Sequence, residues 1–153
     1  MSAIAANRFV NERIVWLKTA THLLCLLPFA LLVAGAFGVA GQSLGANPVE
    51  RLIHELGNWG LKFLLITLAV TPLRGLFKLP ALTRFRRLLG LYAFFYTAMH
   101  FLAYAWIDHR WDMARIVEDI LKRPFITIGI GALTLLVPLA VTSTRGMQRR
   151  LGR

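Results

Sequence analysis

Long apolar runs alternate with short charged segments along this chain. Four of the runs come close to or exceed the roughly 20 mostly apolar residues that a helix needs to cross a bilayer. They occupy residues 16–37, 59–77, 88–107 and 124–142. Because backbone polar groups must be satisfied inside a bilayer, runs of this length predict helices rather than loops. The pattern therefore predicts an all-α fold, a polytopic membrane bundle of four transmembrane helices.

Two connecting segments also repeat apolar residues at helical spacing. Asn47-Pro48 is a helix-start signal, because Asn caps helices well and Pro fits the first helical position. Apolar residues then recur with helical period along 48–56, and again along 112–122. We predict a short amphipathic surface helix in each segment.

The fourth apolar run carries a stripe of small and hydroxylated residues on one side of a helical wheel. The stripe consists of Thr127, Gly131, Thr134, Pro138 and Thr142. Small residues let membrane helices approach closely. The stripe therefore predicts a packing surface for another helix.

Composition and charge agree with a membrane protein. Of the 153 residues, 57% are hydrophobic and 16% are charged, against roughly 45–50% apolar and 25% charged in average soluble domains. The net charge of +11 is spread over short clusters between the apolar runs, which argues against binding to nucleic acid. With the N-terminus inside, the inner segments hold about twice as many lysines and arginines as the outer ones. The positive-inside rule then predicts that both termini are cytoplasmic, and the same clusters suit contact with anionic membrane lipid.

The sequence excludes several kinds of chemistry. Cys25 is the only cysteine, so an intrachain disulfide and covalent c-type haem attachment are both excluded. The apolar runs contain no Ser-His-Asp, Cys-His or paired-carboxylate arrangement, so hydrolytic chemistry has no support. Non-covalent cofactors are compatible with the sequence.

His100 lies within the third apolar run, and an ionisable residue inside a span is a candidate functional residue. On a helical wheel it shares a face with small residues, tyrosines and a threonine, whereas the opposite face is bulky and apolar. This face is predicted to point into the bundle. A neutral imidazole is a good axial ligand for haem iron. The alternative is a histidine hydrogen-bonded to a hydroxyl or carbonyl of a neighbouring helix, and spacing alone does not separate the two.

The other histidines give weaker signals. His22 lies on a polar face of the first run, roughly 9 Å closer to the cytoplasmic end than His100 at 1.5 Å per residue. Axial ligands of one haem share a depth, so His22 is a poor partner for His100. It is a candidate for a second haem, a quinone headgroup or simple helix packing. His54 and His109 are interpreted as solvated.

Five segments carry a family resemblance. They are residues 45–50 (GANPVE), 61–74 (LKFLLITLAVTPLR), 86–91 (RRLLGL), 123–129 (RPFITIG) and 142–152 (TSTRGMQRRLG). Together with His100 and Tyr104, they resemble the haem-binding membrane subunits of periplasmic protein-methionine-sulfoxide reductase systems. That family belongs to the ferric-reductase-like transmembrane group, and the resemblance covers nearly the whole chain.

The resemblance implies an electron-transfer subunit in the bacterial inner membrane rather than a catalytic subunit. It implies b haem with His100 as a ligand of the haem iron, and flavin mononucleotide (FMN) that cannot be assigned to any residue. The implied partners are the respiratory quinone pool and a periplasmic molybdopterin-containing reductase of methionine sulfoxide in proteins. Two alternatives stay open: another b-haem oxidoreductase of the same group, such as a ferric reductase, or a non-redox membrane scaffold or transporter fragment.

The remaining ligand histidines of the family lie on a later span, after the segment that here ends at Arg153. We therefore expect residues 1–153 to be the N-terminal part of a single ferric-reductase-like transmembrane domain. On this expectation the second haem ligand lies outside the present sequence.

Overall fold

The fold is a bundle of α-helices. The computed structural model describes residues 3–39, 44–77, 82–143 and 145–150, and within these ranges it contains no strand. The α-helices there are α1 (Ala3–Ala36), α2 (Pro48–Phe77), α3 (Leu82–Leu102), α4 (Met113–Lys122), α5 (Pro124–Thr142) and α6 (Arg145–Arg150). A π-helix, Ala103–Asp108, continues directly from α3. The predicted all-α fold is confirmed.

Four helices of the described ranges contain a stretch that is long and apolar enough to cross a membrane. The stretches are Trp16–Ala36, Pro48–Phe77, Phe85–Asp108 and Pro124–Thr142. The prediction of four spans is therefore confirmed, with bounds that differ by a few residues except at the start of the second. The orientation of the termini stays a prediction.

The prediction of a separate surface helix at 48–56 is wrong. This segment forms one helix with the second span, and this helix, α2, has 30 residues, or roughly 45 Å at 1.5 Å per residue. Gly57 does not interrupt it because Gly57 packs against His100 of α3, and Leu56 and Gly60 beside it are buried. Tertiary packing here outweighs the low helix propensity of glycine.

The core lies where α1, α2 and α3 meet. Tyr96 of α3 is its largest fully buried side chain. The Tyr96 hydroxyl donates to the carbonyl of Cys25 over 2.8 Å and accepts from the backbone N–H of Phe29 over 2.9 Å. Since Cys25 and Phe29 are one helical turn apart, the hydroxyl sits between a carbonyl and an N–H that an uninterrupted helix would pair. Tyr96 thus ties α3 to α1.

Helix α2 packs closely on α3 because α2 presents glycine at the contact. A Cβ atom placed on Gly60 would lie 2.8 Å from Oγ1 of Thr97 and 3.3 Å from its backbone nitrogen. The Thr97 hydroxyl is held in place by donating to the Ala93 carbonyl over 2.8 Å. The backbones of α2 and α3 therefore approach each other more closely than any residue with a side chain at position 60 would allow.

The helix predicted at 112–122 is confirmed as α4. Asp112 caps it, since its side chain accepts from the backbone N–H of Arg115 over 3.3 Å. Ile116 is buried against the bundle, whereas the apolar side chains of Val117 and Leu121 are exposed. The position of α4 on a membrane surface stays a prediction.

The predicted packing of the small-residue stripe on α5 is not found among the described residues. All five members of the stripe are exposed. Its threonine hydroxyls donate to backbone carbonyls instead, at Ile120, Ile130 and Pro138. The half-buried positions of α5 lie elsewhere on the helix and include Ile126 and Leu133.

Candidate functional site

A cavity of about 640 Å³ lies between α2, α3 and the start of α5. Its volume falls in the range of about 300–1,000 Å³ that is usual for ligand pockets. The apolar part of its wall includes Ile53, Phe101, Phe125, Ile126, Ile130 and Leu133. Gly129 also lines it, and a Cβ atom there would meet nothing within 4 Å. The cavity is therefore wide on the α5 side and lined largely by apolar side chains.

Polar side chains line the same cavity at several levels. His100 of α3 is followed about one turn later by Tyr104 of the π-helix. The ionised groups at the cavity are Glu50, Asp108 and Arg123. An apolar interior with a few polar groups is the usual composition of a site for a small molecule or cofactor.

His100 is half-buried and held against α2. Its Nδ1 atom lies 2.8 Å from the carbonyl oxygen of Ile53. A carbonyl only accepts hydrogen bonds, so Nδ1 carries the proton of the neutral imidazole and Nε2 carries the lone pair. A Cβ atom on Gly57 would lie 3.1 Å from both Nδ1 and Cε1 of the ring, so the absence of a side chain at Gly57 leaves room for the imidazole.

This geometry bears on both interpretations of His100. The hydrogen bond to a carbonyl of a neighbouring helix is present. However, histidines that bind a metal usually donate from the other ring nitrogen to a carbonyl or carboxylate, which fixes the tautomer and the ring orientation. Among the described residues, Nε2 of His100 has no hydrogen-bond partner, and His100 lines the cavity. The observed bond is therefore of the kind that metal-binding histidines usually make.

The structure does not bring His22 into this site. The Nδ1 atom of His22 lies 2.7 Å from the hydroxyl of Tyr92, and the two rings meet edge to face with centroids 5.6 Å apart. Tyr92 precedes His100 by eight residues, or roughly 12 Å along a helix of 1.5 Å per residue. His22 is exposed and does not line the cavity. The two histidines therefore occupy different places in the bundle.

His54 is exposed, as expected, but it also lines the cavity. Its Nδ1 atom lies 2.9 Å from the carbonyl oxygen of Glu50, one turn earlier in α2. The sequence pattern did not place His54 here, because the surface helix predicted at 48–56 ended before Gly57. A single helix over 48–77 would have placed His54 one turn from the residue that contacts His100.

The prediction that His109 is solvated is wrong. Only 15% of its side chain is exposed, and its Nε2 atom lies 3.3 Å from Oδ2 of Asp119. Its ring meets that of Tyr104 edge to face, with centroids 4.5 Å apart. The chain reverses here because Arg110 and Trp111 both have positive φ, at 48° and 60°. This turn carries α4 back towards the end of α3.

Asp119 connects three elements at the rim of the cavity. Its Oδ2 atom accepts from the Tyr104 hydroxyl over 3.1 Å. Its Oδ1 atom lies 3.7 Å from Nε of Arg123, the residue directly before α5. The π-helix, α4 and the start of α5 are thus joined at one carboxylate. No helical or motif pattern in the sequence pointed to Asp119 or Arg123 as a pair.

The family of the chain follows from its similarity to known proteins. Residues 56–153 match the family of ferric reductase like transmembrane components. The match covers α3, the π-helix, α4, α5 and residues 56–77 of α2, and it includes the α3 and α5 residues that line the cavity. The chain belongs to this ferric-reductase-like family of multi-pass membrane proteins.

Within that family the chain is similar to proteins named protein-methionine-sulfoxide reductase heme-binding subunit MsrQ. The relative from Xanthomonas campestris pv. campestris (strain 8004) is 52% identical over 139 residues, which cover 89% of this chain and 64% of the relative. The relative from Herminiimonas arsenicoxydans is 48% identical over 136 residues, which cover 89% of this chain and 61% of the relative. The relative from Caulobacter vibrioides is 51% identical over 140 residues, which cover 92% of this chain and 62% of the relative. The chain thus spans less than two thirds of the length of these curated relatives. No solved structure matches it significantly.

Proposed function

We propose that this chain holds a b haem in the cavity between α2, α3 and α5, with His100 as an axial ligand of the haem iron. The observation that carries the proposal is the 2.8 Å hydrogen bond from Nδ1 of His100 to the carbonyl of Ile53. It leaves the lone pair on Nε2, the nitrogen that is then suited to bind iron. The name of the similar proteins, heme-binding subunit, supports the same assignment.

The residues around the cavity fit a flat apolar group. Phe101, Phe125 and Ile130 supply apolar wall, and Gly129 leaves the α5 side open. These side chains give the ring system of the ligand an apolar surface to pack on. The Ile53 carbonyl orients the His100 ring and raises the basicity of Nε2. Bound haem supplies reversible one-electron chemistry at a potential set by its ligands and its burial.

We further propose that the chain is the electron-transfer subunit between the respiratory quinone pool and a periplasmic molybdopterin-containing reductase of methionine sulfoxide in proteins. The names of the similar proteins support a role in such a reductase system. Location in the bacterial inner membrane is part of this proposal, as is FMN, for which no residue is assigned. His22, exposed on α1, is proposed to contact a quinone headgroup or a second haem.

A visible spectrum tests the haem proposal. The chain purified in detergent from haem-replete cells is expected to show a b-type Soret band that shifts on reduction. The variant His100→Ala should lose this band because Nε2 is removed. The matched control His54→Ala, which removes a second histidine that lines the cavity, should keep the band. A wild-type chain without the band would contradict the proposal, and so would a band that survives in His100→Ala.

Two further measurements separate the alternative functions. Co-purification with a molybdopterin-containing protein supports the methionine-sulfoxide role. Haem-dependent reduction of ferric chelates in membranes, without such a partner, would support a ferric reductase instead. A chain that folds and lacks haem would favour a non-redox scaffold.

A further inference from the structure

We propose that Arg123 binds the carboxylate groups of the ligand in the cavity, so that the site selects a flat apolar ring system with acidic substituents. This inference rests on the haem site proposed above, since b haem carries two propionate groups. It adds a residue that recognises the acidic edge of the ligand, in addition to the histidine that meets the iron.

Arg123 lies at the end of the cavity near the π-helix and α4. Tyr104 of the π-helix follows His100 by about one turn, and its hydroxyl lies 3.1 Å from Oδ2 of Asp119. The other oxygen of Asp119 lies 3.7 Å from Nε of Arg123. His100, Tyr104 and Arg123 all line the same cavity. Arg123 therefore lies near the level of Tyr104, about one turn beyond the proposed iron ligand.

The guanidinium of Arg123 has donors to spare. An arginine carries five N–H donors in a planar fork that matches a carboxylate. Its contact with Asp119 is at 3.7 Å and involves Nε, and the side chain is 56% exposed. The Asp119 carboxylate is shared with Tyr104 and His109, which lie 3.1 Å and 3.3 Å from it. The contact with Asp119 thus positions the guanidinium and leaves its other donors available.

Among the charged residues at the cavity, Arg123 offers the most favourable position for an acidic group of the ligand. Glu50 and Asp108 also line the cavity. Glu50 disfavours a carboxylate near the start of α2, because like charges repel, whereas Oδ2 of Asp108 lies 3.7 Å from Nε2 of His109. Arg123 precedes Pro124 at the start of α5, where no side chain caps the helix and the positive end of the helix dipole lies. An acidic substituent is therefore expected at the junction of α4 and α5.

Haem and haem dimethyl ester distinguish this role from simple packing. The ester has the same ring and iron but no free carboxylates. In Soret titrations, the wild-type apoprotein in detergent is expected to bind haem about tenfold more tightly than the ester. A difference of this size corresponds to one charge-assisted hydrogen-bond pair. Arg123→Gln should lose this preference, and Arg123→Lys should keep part of it because the charge remains. Since the preference is a ratio measured on one preparation, it does not depend on the fraction of folded protein.

Arg115→Gln is the matched control. Arg115 lies on α4, where its Nε is 3.0 Å from Asp112, and it does not line the cavity. The control should keep the full preference for the free acid. Full preference in Arg123→Gln, with a Soret band that still depends on His100, would overturn the role of Arg123 alone. Absence of any Soret band in the wild type with either ligand would overturn the haem site and this inference together.

Discussion

Nδ1 of His100 donates to the carbonyl oxygen of Ile53 over 2.8 Å, although the two residues are 47 positions apart in the chain. The bond joins α3 to α2 and fixes which ring nitrogen carries the proton. A histidine held in this way cannot rotate freely towards the cavity, so its Nε2 atom has a defined direction. The proposed function depends on this single relationship.

Gly57 controls the position of the His100 ring. In Gly57→Ala the new Cβ atom would lie 3.1 Å from Nδ1 and Cε1 of the imidazole, closer than ordinary van der Waals contact. The ring must shift and the bond to Ile53 must lengthen. We expect several-fold weaker haem binding and a displaced Soret maximum, measured by haem titration in detergent.

Gly75→Ala is the control for this change. Gly75 also lies in α2, and a Cβ atom there meets nothing within 4 Å. The substitution should leave the haem spectrum unchanged and, as an Ala for Gly change in a helix, stabilise the fold by up to about 1 kcal/mol. Equal haem affinity in Gly57→Ala and wild type would show that the ring position does not matter.

Gly60 sets the distance between α2 and α3. In Gly60→Ala the Cβ atom would lie 2.8 Å from Oγ1 of Thr97 and 3.3 Å from its backbone nitrogen. Because a backbone atom blocks the way, the helices must separate, and we expect destabilisation of about 1–3 kcal/mol, as for overpacked cores. Thermal unfolding in detergent, with Gly75→Ala as the reference, measures the change. Unchanged stability would mean that α2 and α3 are further apart than described.

Tyr96 anchors α1 to α3. Tyr96→Phe removes the hydroxyl that bonds the Cys25 carbonyl and the Phe29 N–H. We expect the free energy of unfolding to fall by about 1 kcal/mol or slightly more, which is the net value of a typical intramolecular hydrogen bond. Tyr92→Phe, which removes a hydroxyl next to the exposed His22, should cost less in the same unfolding assay. A larger loss at Tyr92 than at Tyr96 would contradict the assignment of the core.

Asp119 holds α4 against the ends of α3 and α5. Asp119→Asn keeps the size of the side chain but weakens the hydrogen bond from Tyr104 and the electrostatic contacts with His109 and Arg123, because the negative charge is lost. We expect faster amide hydrogen exchange across α4 in the variant. Glu118→Gln on the same helix alters only an exposed pair with Lys122, and exchange should hardly change. Similar exchange in both variants would argue that apolar packing at Ile116, rather than the carboxylate, holds α4.

Local patterns predicted the spans, because a run of apolar residues is visible in the sequence without knowledge of tertiary contacts. The inward face of His100 was also visible, from small residues on one side of a helical wheel. The continuity of α2 across Gly57 was not visible in the sequence. It depends on the contact between Gly57 and His100, which are far apart in the chain. A glycine followed by an asparagine looks locally like the end of a connection.

The contacts of Asp119 with Tyr104, His109 and Arg123 were not visible in the sequence for a different reason. His109 contacts Asp119 only because Arg110 and Trp111 adopt positive φ, a conformation that these residue types rarely adopt. No propensity or spacing rule anticipates such a turn. The packing role of the stripe on α5 stays a prediction, since its threonine hydroxyls bond to backbone carbonyls and the described helices pack on other positions of α5.

Chemical rescue of His100→Gly tests the central claim most directly. This variant removes the imidazole and leaves a space beside Gly57 and Ile53 into which free imidazole fits. The account predicts that the variant lacks the b-type Soret band and regains it on addition of imidazole, whereas His54→Gly keeps the band throughout. A His100→Gly chain that shows the wild-type band without imidazole would contradict the claim that His100 binds the haem iron.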